Sequence, residues 1–430
     1  MPGGEHSVQE GGSERQGVRW PIVILLLAAI CYNAVLAIIN AHVMSLSVTQ
    51  VALCELVVLS GAGLVVARQR LTPRDAAWLT FLIGTFFGTI FLSLSNGGLL
   101  VEALRNVAIV ALFTALGIRS NITTMRTTFL IAVFVVGLVM IFEIAAVSQY
   151  SSLFKPFNYY QNTRGLGEVD YGDVGLFGNA LGFEGRFSFG LFTTPRTSSI
   201  FLEQTSLANF ASVIAIYLVT TWRTLARGEK ILIGSFVLLA LMSNNTRMAS
   251  VFASITMLGY FLYPRLPRYG TLILPLLLLS LAVGLSSWMG PSKEDDLAGR
   301  IGLSVRLLSM TDFPASLGLR VADASAFPDS GYSYLIYSCS LVGAVAIWLY
   351  VALAIPFRSP EQRRCAWSVS LFLFLNLLVA GNAVFSMKIA APLWLLAGFM
   401  RSPDFFPSTP WRRSPAIRPR SGTLTLKPAT

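Results

Sequence analysis

Charged residues are scarce in this chain of 430 residues. They make up 12% of it, and hydrophobic residues make up 54%. A soluble globular domain carries roughly a quarter of its residues as charged side chains, so this composition excludes an ordinary soluble domain. The apolar runs are long and continuous, whereas the strands of a membrane β-barrel alternate apolar and polar residues, so a barrel is excluded as well. The composition predicts a helical protein embedded in a bilayer.

Histidine and cysteine are also rare. The two histidines are His6 and His42, which leaves too little imidazole for a metal site. The four cysteines lie within or at the edge of apolar runs, so we predict no disulfide framework and no metal cluster. The net charge of +11 does not indicate a nucleic-acid partner, because basic residues of membrane proteins collect in cytoplasmic loops. We predict no metal and no cofactor.

Twelve apolar segments predict an all-α fold, a polytopic transmembrane bundle. A helical crossing needs about 20 apolar residues. The seventh and twelfth segments are short for a crossing, which leaves counts of eleven and thirteen open. The segments are residues 21–40, 47–67, 76–94, 98–117, 127–147, 198–220, 231–242, 248–263, 271–288, 333–356, 366–384 and 389–400.

The lysines and arginines of the connecting segments predict the orientation. Basic residues concentrate in alternate connections and in both flanking segments, which places both termini in the cytoplasm. We therefore expect a cytoplasmic segment at residues 1–20, a membrane domain at 21–400, and a disordered, basic cytoplasmic tail at 401–430. Two long loops, 148–197 and 289–332, then face outward. Loops of this length are usually functional, so chemistry is expected there.

The two outward loops differ in composition. The first is rich in glycine and aromatic residues, which fits either a surface on which sugar rings stack or a loop that packs onto the membrane. In the second loop, Leu297, Ile301, Val305 and Leu308 recur at helical spacing. This stripe predicts a short helix in the outer interface.

Several ionisable residues fall within or beside apolar segments, where their default interpretation is functional or paired. Glu102 and Arg105 are three residues apart, and we expect them to form a local ion pair with a structural role. Glu55 and Glu143 either meet Arg105 or face water. Arg196 is expected near the outer face, where a guanidinium either grips phosphate or snorkels to headgroups.

Three stretches resemble a known family, the bacterial Wzy-type polysaccharide polymerases and O-antigen ligases, which are large-loop polytopic glycosyltransferases. The resemblance covers the central half of the chain and implies a GT-C-like bundle. Gln204 stands where many relatives have proline, and the second loop has no histidine, unlike the ligases, which favours a polymerase. The stretches are Arg196-x4-Phe201-x-Glu203, Ser243-x3-Arg247, and the run from Gly318 through Asp329, Gly331 and Tyr332 to Gly343.

The resemblance implies a glycosyltransferase that polymerises oligosaccharide repeat units linked to undecaprenyl diphosphate. The product is exopolysaccharide or O-antigen, made at the outer face of the bacterial inner membrane without a nucleotide sugar. Donor and acceptor are both lipid-linked, and a flippase and a chain-length regulator are candidate partners. Two alternatives stay open: transfer of glycan to another acceptor, as in an O-antigen ligase, and secondary transport or lipid flipping.

Site roles follow from the same resemblance. Arg196, Arg247 and Arg320 are expected to bind the diphosphate, and Arg164 to contact sugar or phosphate. A carboxylate would accept the proton of the acceptor hydroxyl, because the second loop has no histidine. The candidates are Glu203, Asp323 and Asp329, and Glu203 has the alternative role of orienting Arg196.

Overall fold

A computed structural model describes residues 17–166, 175–180, 189–192, 195–289, 297–327, 330–379, 381 and 383–402. Within these ranges the chain forms helices and short connections and contains no strand, in agreement with the predicted all-α class. The predicted cytoplasmic tail lies outside the described residues from 403 onward. The helices are α1 (Trp20–His42), α2 (Val48–Ala67), α3 (Ala76–Ser95), α4 (Val101–Ile118), α5 (Ile122–Ala145), α6 (Val147–Phe154), α7 (Pro156–Arg164), α8 (Gln204–Thr221), α9 (Arg227–Asn244), α10 (Arg247–Leu262), α11 (Tyr269–Met289), α12 (Leu297–Ser309), α13 (Phe313–Ser316), α14 (Gly331–Leu353), α15 (Pro360–Val379) and α16 (Met387–Phe399).

Seven of the described helices are long and apolar enough to cross a membrane, namely α1 to α5, α11 and α14. The chain is therefore described as a membrane protein, and the count of twelve spans stays a prediction. The remaining helices are shorter or more polar. Helix α8 is buried along almost its whole length, so polar residues such as Gln204 and Asn209 face neighbouring helices. A helix that is buried in this way can contain polar residues, which lower its mean hydropathy, without exposing them to lipid.

Several of the basic connections contact one another at one end of the bundle. Arg126 binds Glu229, which joins the start of α5 to the start of α9. The guanidinium of Arg268 donates to the carbonyl oxygen of Leu353 at 3.2 Å, and Arg119 pairs with Asp75 at 2.6 Å inside the protein. These contacts join connections that the sequence assigns to a single side of the membrane.

Helices α4 and α16 pack against each other at unusually short distance. A Cβ atom added to Gly398 of α16 would lie 2.1 Å from the carbonyl oxygen of Thr114, and one added to Gly117 of α4 would lie 2.1 Å from that of Leu395. The two backbones therefore touch where these glycines lie. Because α4 and α16 run side by side in the same direction, Arg105 and Lys388 come to the same end of the bundle.

The segment before α8 is buried and contains one 3₁₀ turn, Ser199–Phe201, between non-helical residues. The α-helix begins at Gln204, six residues after the predicted start of the sixth apolar segment. Ser199 and Leu202 have positive φ values of 51° and 61°. The carboxylate of Glu143 accepts the backbone N–H groups of Ser198 and Ser199 at 2.9 and 2.6 Å, and the amide of Asn244 donates to the carbonyl oxygen of Thr197 at 2.6 Å. Such backbone is tolerated at membrane depth where protein groups satisfy it.

Helix α12 covers the predicted amphipathic stripe in the second loop. Its residues Ile301 and Val305 pack against Ala282 of α11 and Leu378 of α15, so the apolar face of α12 is turned towards the bundle. In the first loop, α6 and α7 pack onto α1, and the rings of Tyr159 and Tyr160 are buried. These two rings pack inside the protein, and neither the sugar-stacking nor the membrane-packing interpretation of the loop is tested by them.

Candidate functional site

A polar cavity of about 360 Å³ lies at the end of the bundle where α2, α4, α8 and α16 begin. Helix α7 of the first loop forms part of its wall. The N-terminal end of a helix carries partial positive charge, so four such ends favour negative charge in this space. Its charged lining residues are Glu55, Glu102, Arg105, Arg164, Glu203 and Lys388.

One carboxylate, that of Glu203, binds two cations in the cavity. The Nζ atom of Lys388 lies 3.0 Å from Oε2 of Glu203, and Nη2 of Arg164 lies 3.4 Å from the same oxygen. Ser206 donates its hydroxyl to this oxygen at 3.0 Å. The side chain of Lys388 is 2% exposed, whereas that of Arg164 is 44% exposed. The cluster therefore has one fully buried cation and one that reaches the open cavity.

The local structure explains how these three residues meet. Glu203 is the residue directly before α8, and it follows the buried 3₁₀ turn Ser199–Phe201 inside the bundle. Lys388 lies in the first turn of α16. Arg164 ends α7, and its guanidinium carbon lies 4.3 Å from the ring centre of Tyr160. Tyr160 in turn donates its hydroxyl to the carbonyl oxygen of Phe201 at 2.9 Å, which ties α7 to the segment that carries Glu203.

A second group of charges lies on the α2 and α4 side of the same cavity. Nη1 of Arg105 is 3.2 Å from Glu55, and Nη2 of Arg105 is 3.7 Å from Glu102. Tyr32 donates to Glu55 at 2.6 Å, and Tyr334 donates to Glu102 at 2.8 Å. The expected local pair of Glu102 and Arg105 is confirmed, and of the alternatives for Glu55 the contact with Arg105 is the observed one.

Tyrosine hydroxyls supply neutral hydrogen-bonding groups near Arg164. Burial raises the pKa of Tyr159 and of Tyr160 above the ordinary range of a phenol, so both stay protonated at neutral pH. Tyr159 donates to the side-chain oxygen of Asn33 at 2.8 Å. Both hydroxyls are thus bonded within the protein, whereas the guanidinium of Arg164 is exposed to the cavity and is suited to binding phosphate oxygens.

Arg196 lies at the turn between α9 and α10. Its Nε donates to the carbonyl oxygen of Asn244 at 2.6 Å, and its Nη2 donates to the hydroxyl of Thr246 at 2.9 Å. Arg247 is the first residue of α10, directly after this turn. The expectation that Glu203 orients Arg196 is not met, because Glu203 pairs with Arg164 and Lys388, and Arg196 donates to groups of the turn.

Replacing Arg196 with alanine is expected to lower the free energy of unfolding by about 2 kcal/mol, because the carbonyl oxygen of Asn244 loses a charged donor. Lysine at this position should recover part of the loss. The check is thermal unfolding of the purified protein in detergent, with Arg126→Ala as the control, since the side chain of Arg126 is 45% exposed. Equal unfolding temperatures for the two alanine variants would contradict this assignment.

Arg320 belongs to a different cluster from Arg164. It binds Asp312 at 2.7 Å and Asp323 at 2.6 Å, in the connection between α12 and α14. The backbone N–H of Ala315 and the guanidinium of Arg320 lower the pKa of Asp312. Of the other expected proton acceptors, Asp323 is paired with Arg320, and Asp329 lies outside the described residues.

Lys388 is the cavity residue that sequence reasoning missed. The predicted twelfth apolar segment begins at Ile389, one residue after Lys388. In the structure it is inside α16 and buried. The available signal in the sequence is the position of this lysine directly before a short apolar run. An ionisable residue at such a position is often buried, and it then needs a carboxylate partner.

Comparison of the chain with models of protein families, with curated proteins and with solved structures gives no match. Among the described residues, no group of three or more histidine, cysteine, aspartate or glutamate side chains is arranged to hold a metal ion. The polar groups that line the cavity include cations, carboxylates and tyrosine hydroxyls.

Proposed function

We propose that this protein is a membrane glycosyltransferase that polymerises oligosaccharide repeat units linked to polyprenyl diphosphate, at the outer face of the bacterial inner membrane. The observation that carries the proposal is the cluster of Arg164, Glu203 and Lys388 in a polar cavity among helix N-termini. Two cations and these helix ends offer an anion-binding site at membrane depth. A sugar that is linked to a lipid through a diphosphate needs such a site.

The proposed reaction joins two lipid-linked units. A hydroxyl oxygen of the acceptor sugar bonds to the anomeric carbon of the donor, and the bond from that carbon to the diphosphate oxygen breaks. The polyprenyl diphosphate leaves with the electron pair, and the hydroxyl proton passes to a base. Arg164 and Lys388 stabilise the charge that develops on the leaving group.

Glu203 is assigned to orientation of the two cations. Its Oε2 accepts from Lys388 and Ser206 and lies 3.4 Å from Arg164. A carboxylate held between two cations is a weak base, because its charged form is strongly favoured. It is well suited to fixing the guanidinium of Arg164, which stacks on Tyr160. Arg196 is assigned to the turn that supports the segment before Glu203, and the diphosphate role of Arg247 stays a prediction.

A secondary transporter is the second candidate, and one observation favours it. Helix α8 begins after irregular backbone inside the protein, and α16, which is 13 residues long, starts at the same cavity. Substrate sites of many carriers are formed by interrupted helices of this kind. Glycan made by cells that lack the protein separates the candidates: single repeat units indicate a polymerase, unattached long chains a ligase, and unchanged glycan a transporter.

Replacing Arg164 with alanine is expected to abolish chain growth and to leave single repeat units in the cell. Lysine should also impair growth strongly, because an ammonium group does not reproduce the planar fork of guanidinium. Gel analysis of glycan chain length checks this, with protein in the membrane quantified in parallel. Arg126→Ala is the control, and we expect normal chains from it. Normal chain length in the Arg164→Ala variant would contradict the proposed function.

A further inference from the structure

Three carboxylates line the polar cavity, and the proposed reaction needs a base to accept the proton of the acceptor hydroxyl. They are Glu55, Glu102 and Glu203. Glu203 is held by two cations, which makes it a weak base. Both oxygens of Glu55 are bonded within the protein, Oε1 to Tyr32 and Oε2 to Arg105. Of the described carboxylates in the cavity, Glu102 is therefore the remaining candidate for a base.

Glu102 is the most accessible of the three. Its side chain is 56% exposed, against 7% for Glu55 and 18% for Glu203. Tyr334 donates its hydroxyl to Oε1 of Glu102 at 2.8 Å, and Nη2 of Arg105 lies 3.7 Å from the same oxygen, beyond ordinary hydrogen-bond length. Both contacts from the described residues thus go to one oxygen. They hold the carboxylate in place and leave Oε2 accessible to a hydroxyl group of a ligand.

The charges that line the cavity are divided unevenly between its two sides. Among the described lining residues, the side formed by α7, α8 and α16 has two cations and one carboxylate, whereas the side formed by α2 and α4 has two carboxylates and one cation. An excess of positive charge stabilises a leaving diphosphate. A carboxylate in surroundings with an excess of negative charge accepts a proton more readily. The two sides are therefore suited to opposite parts of one transfer reaction.

Glu102 and the buried lysine of the cation cluster lie at similar depth. Helices α4 and α16 run in the same direction and touch where Thr114 meets Gly398. With a rise of 1.5 Å per residue, Glu102 lies about 18 Å from Thr114 along α4, and Lys388 lies about 15 Å from Gly398 along α16. Glu102 is thus within about one helical turn of Lys388 in depth, on the neighbouring helix. A sugar bound between the two helices can contact a base on one side and a phosphate-binding cation on the other.

We propose that Glu102 is the catalytic base that accepts the proton of the acceptor hydroxyl. This inference rests on the proposed function and adds to it the group that removes the proton. As the hydroxyl oxygen bonds to the anomeric carbon, its proton passes to Oε2 of Glu102, and the diphosphate leaves with the electron pair of the broken bond. Because Glu102 is exposed to the cavity, the proton then passes to water and the carboxylate is restored. Tyr334 and Arg105 are positioning residues for this carboxylate.

Glu102→Gln tests the assignment in full-length protein, in vesicles that contain lipid-linked repeat units. Glutamine has nearly the same shape and still accepts the hydroxyl of Tyr334, but it is not a base. The rate at saturating substrate is expected to fall about 100-fold or more, because the base acts in the chemical step. Binding of the lipid-linked donor should stay within about twofold, whereas loss of a purely structural contact would weaken it.

The matched control is Glu229→Gln. Glu229 also pairs with an arginine, Arg126, and also accepts a hydrogen bond that glutamine retains, from the backbone N–H of Ala226. We expect this variant to polymerise at the rate of the unaltered protein.

A second variant, Glu102→Ala, tests for the base itself. It leaves room beside Tyr334 for a small carboxylate, so added formate is expected to raise the rate of this variant about tenfold or more. Formate should have no effect on Glu102→Gln, in which the amide still fills the position. It should also have no effect on Arg164→Ala, in which the leaving group has lost a cation.

Two results would overturn the assignment: a rate for Glu102→Gln above about one tenth of normal, and folded Glu102→Ala that does not respond to formate. The same measurements separate this inference from the proposed function. If Glu102→Gln is active and Arg164→Ala is not, the base is wrong and the polymerase stands. If the unaltered protein joins no repeat units, the proposed function is wrong.

Discussion

Replacing Lys388 with methionine is expected to abolish chain growth and to lower the free energy of unfolding by about 3 to 5 kcal/mol. The side chain of Lys388 is 2% exposed, and its Nζ lies 3.0 Å from Glu203. Removing one partner of a buried ion pair leaves the other charged and poorly solvated. Here Arg164 still contacts Glu203, so the lower end of that range is expected. Glycan chain length and unfolding of the purified protein measure the two effects.

A double variant separates the two effects. Lys388→Met combined with Glu203→Gln removes both charges, and a neutral pair of similar volume is often as stable as a buried ion pair. We expect this variant to regain most of the lost stability and to remain inactive, because the cation and its orienting carboxylate are both missing. Recovery of chain growth in the double variant would show that the cluster has a structural role alone.

Replacing Gly398 with leucine is expected to prevent folding, at a cost above about 4 kcal/mol. A Cβ atom at this position would lie 2.1 Å from the carbonyl oxygen of Thr114 and 2.9 Å from its Cα. Both are backbone atoms, so no side-chain rotation relieves the overlap. Helices α4 and α16 would have to separate, and this contact is the one that brings Arg105 and Lys388 to the same cavity.

The control for this variant is Gly284→Leu in α11, where an added Cβ meets no atom within 4 Å. We expect normal amounts of folded protein from it and a strong reduction from Gly398→Leu. Size-exclusion chromatography of protein extracted in mild detergent gives the comparison. Equal elution profiles and yields for the two variants would contradict the close packing of α4 and α16.

The sequence predicted the features that depend on hydrophobicity and on spacing within one helix. Continuous apolar runs specify helices in a bilayer, and the described part of the structure consists of helices and their connections, without a strand. The pair of Glu102 and Arg105 could be predicted because residues three apart lie on one face of a helix.

Contacts between distant segments could not be predicted in the same way. Glu203 has Lys388 as a partner 185 residues further along the chain, and nothing local in the sequence indicates this pairing. The apolar residues Ile200, Phe201 and Leu202 predict a span that begins at residue 198, yet Ile200 and Phe201 lie in a buried 3₁₀ turn and Leu202 has left-handed backbone. Hydropathy reports burial, and it does not distinguish a helix from an irregular segment whose hydrogen bonds the protein supplies.

The binding partners of the arginine side chains could not be predicted from the sequence either. Residue type and the expected side of the membrane predict that Arg196, Arg247 and Arg320 bind the diphosphate and that Arg164 contacts sugar or phosphate. The structure gives three of them distinct partners: Arg196 binds backbone carbonyls, Arg320 binds two aspartates, and Arg164 binds Glu203 in the cavity. Guanidinium satisfies carbonyls and carboxylates as well as phosphates, so residue type alone does not identify its ligand.

The most direct test of the central claim uses purified protein in vesicles. The vesicles receive undecaprenyl-diphosphate-linked repeat units extracted from cells that lack the protein, with no nucleotide sugar and no other enzyme. The proposed chemistry predicts glycans of two or more repeats, one released undecaprenyl diphosphate for each new glycosidic bond, and no product with the Arg164→Ala variant. Repeat units that stay single, whether they remain in place or cross the bilayer, would contradict it.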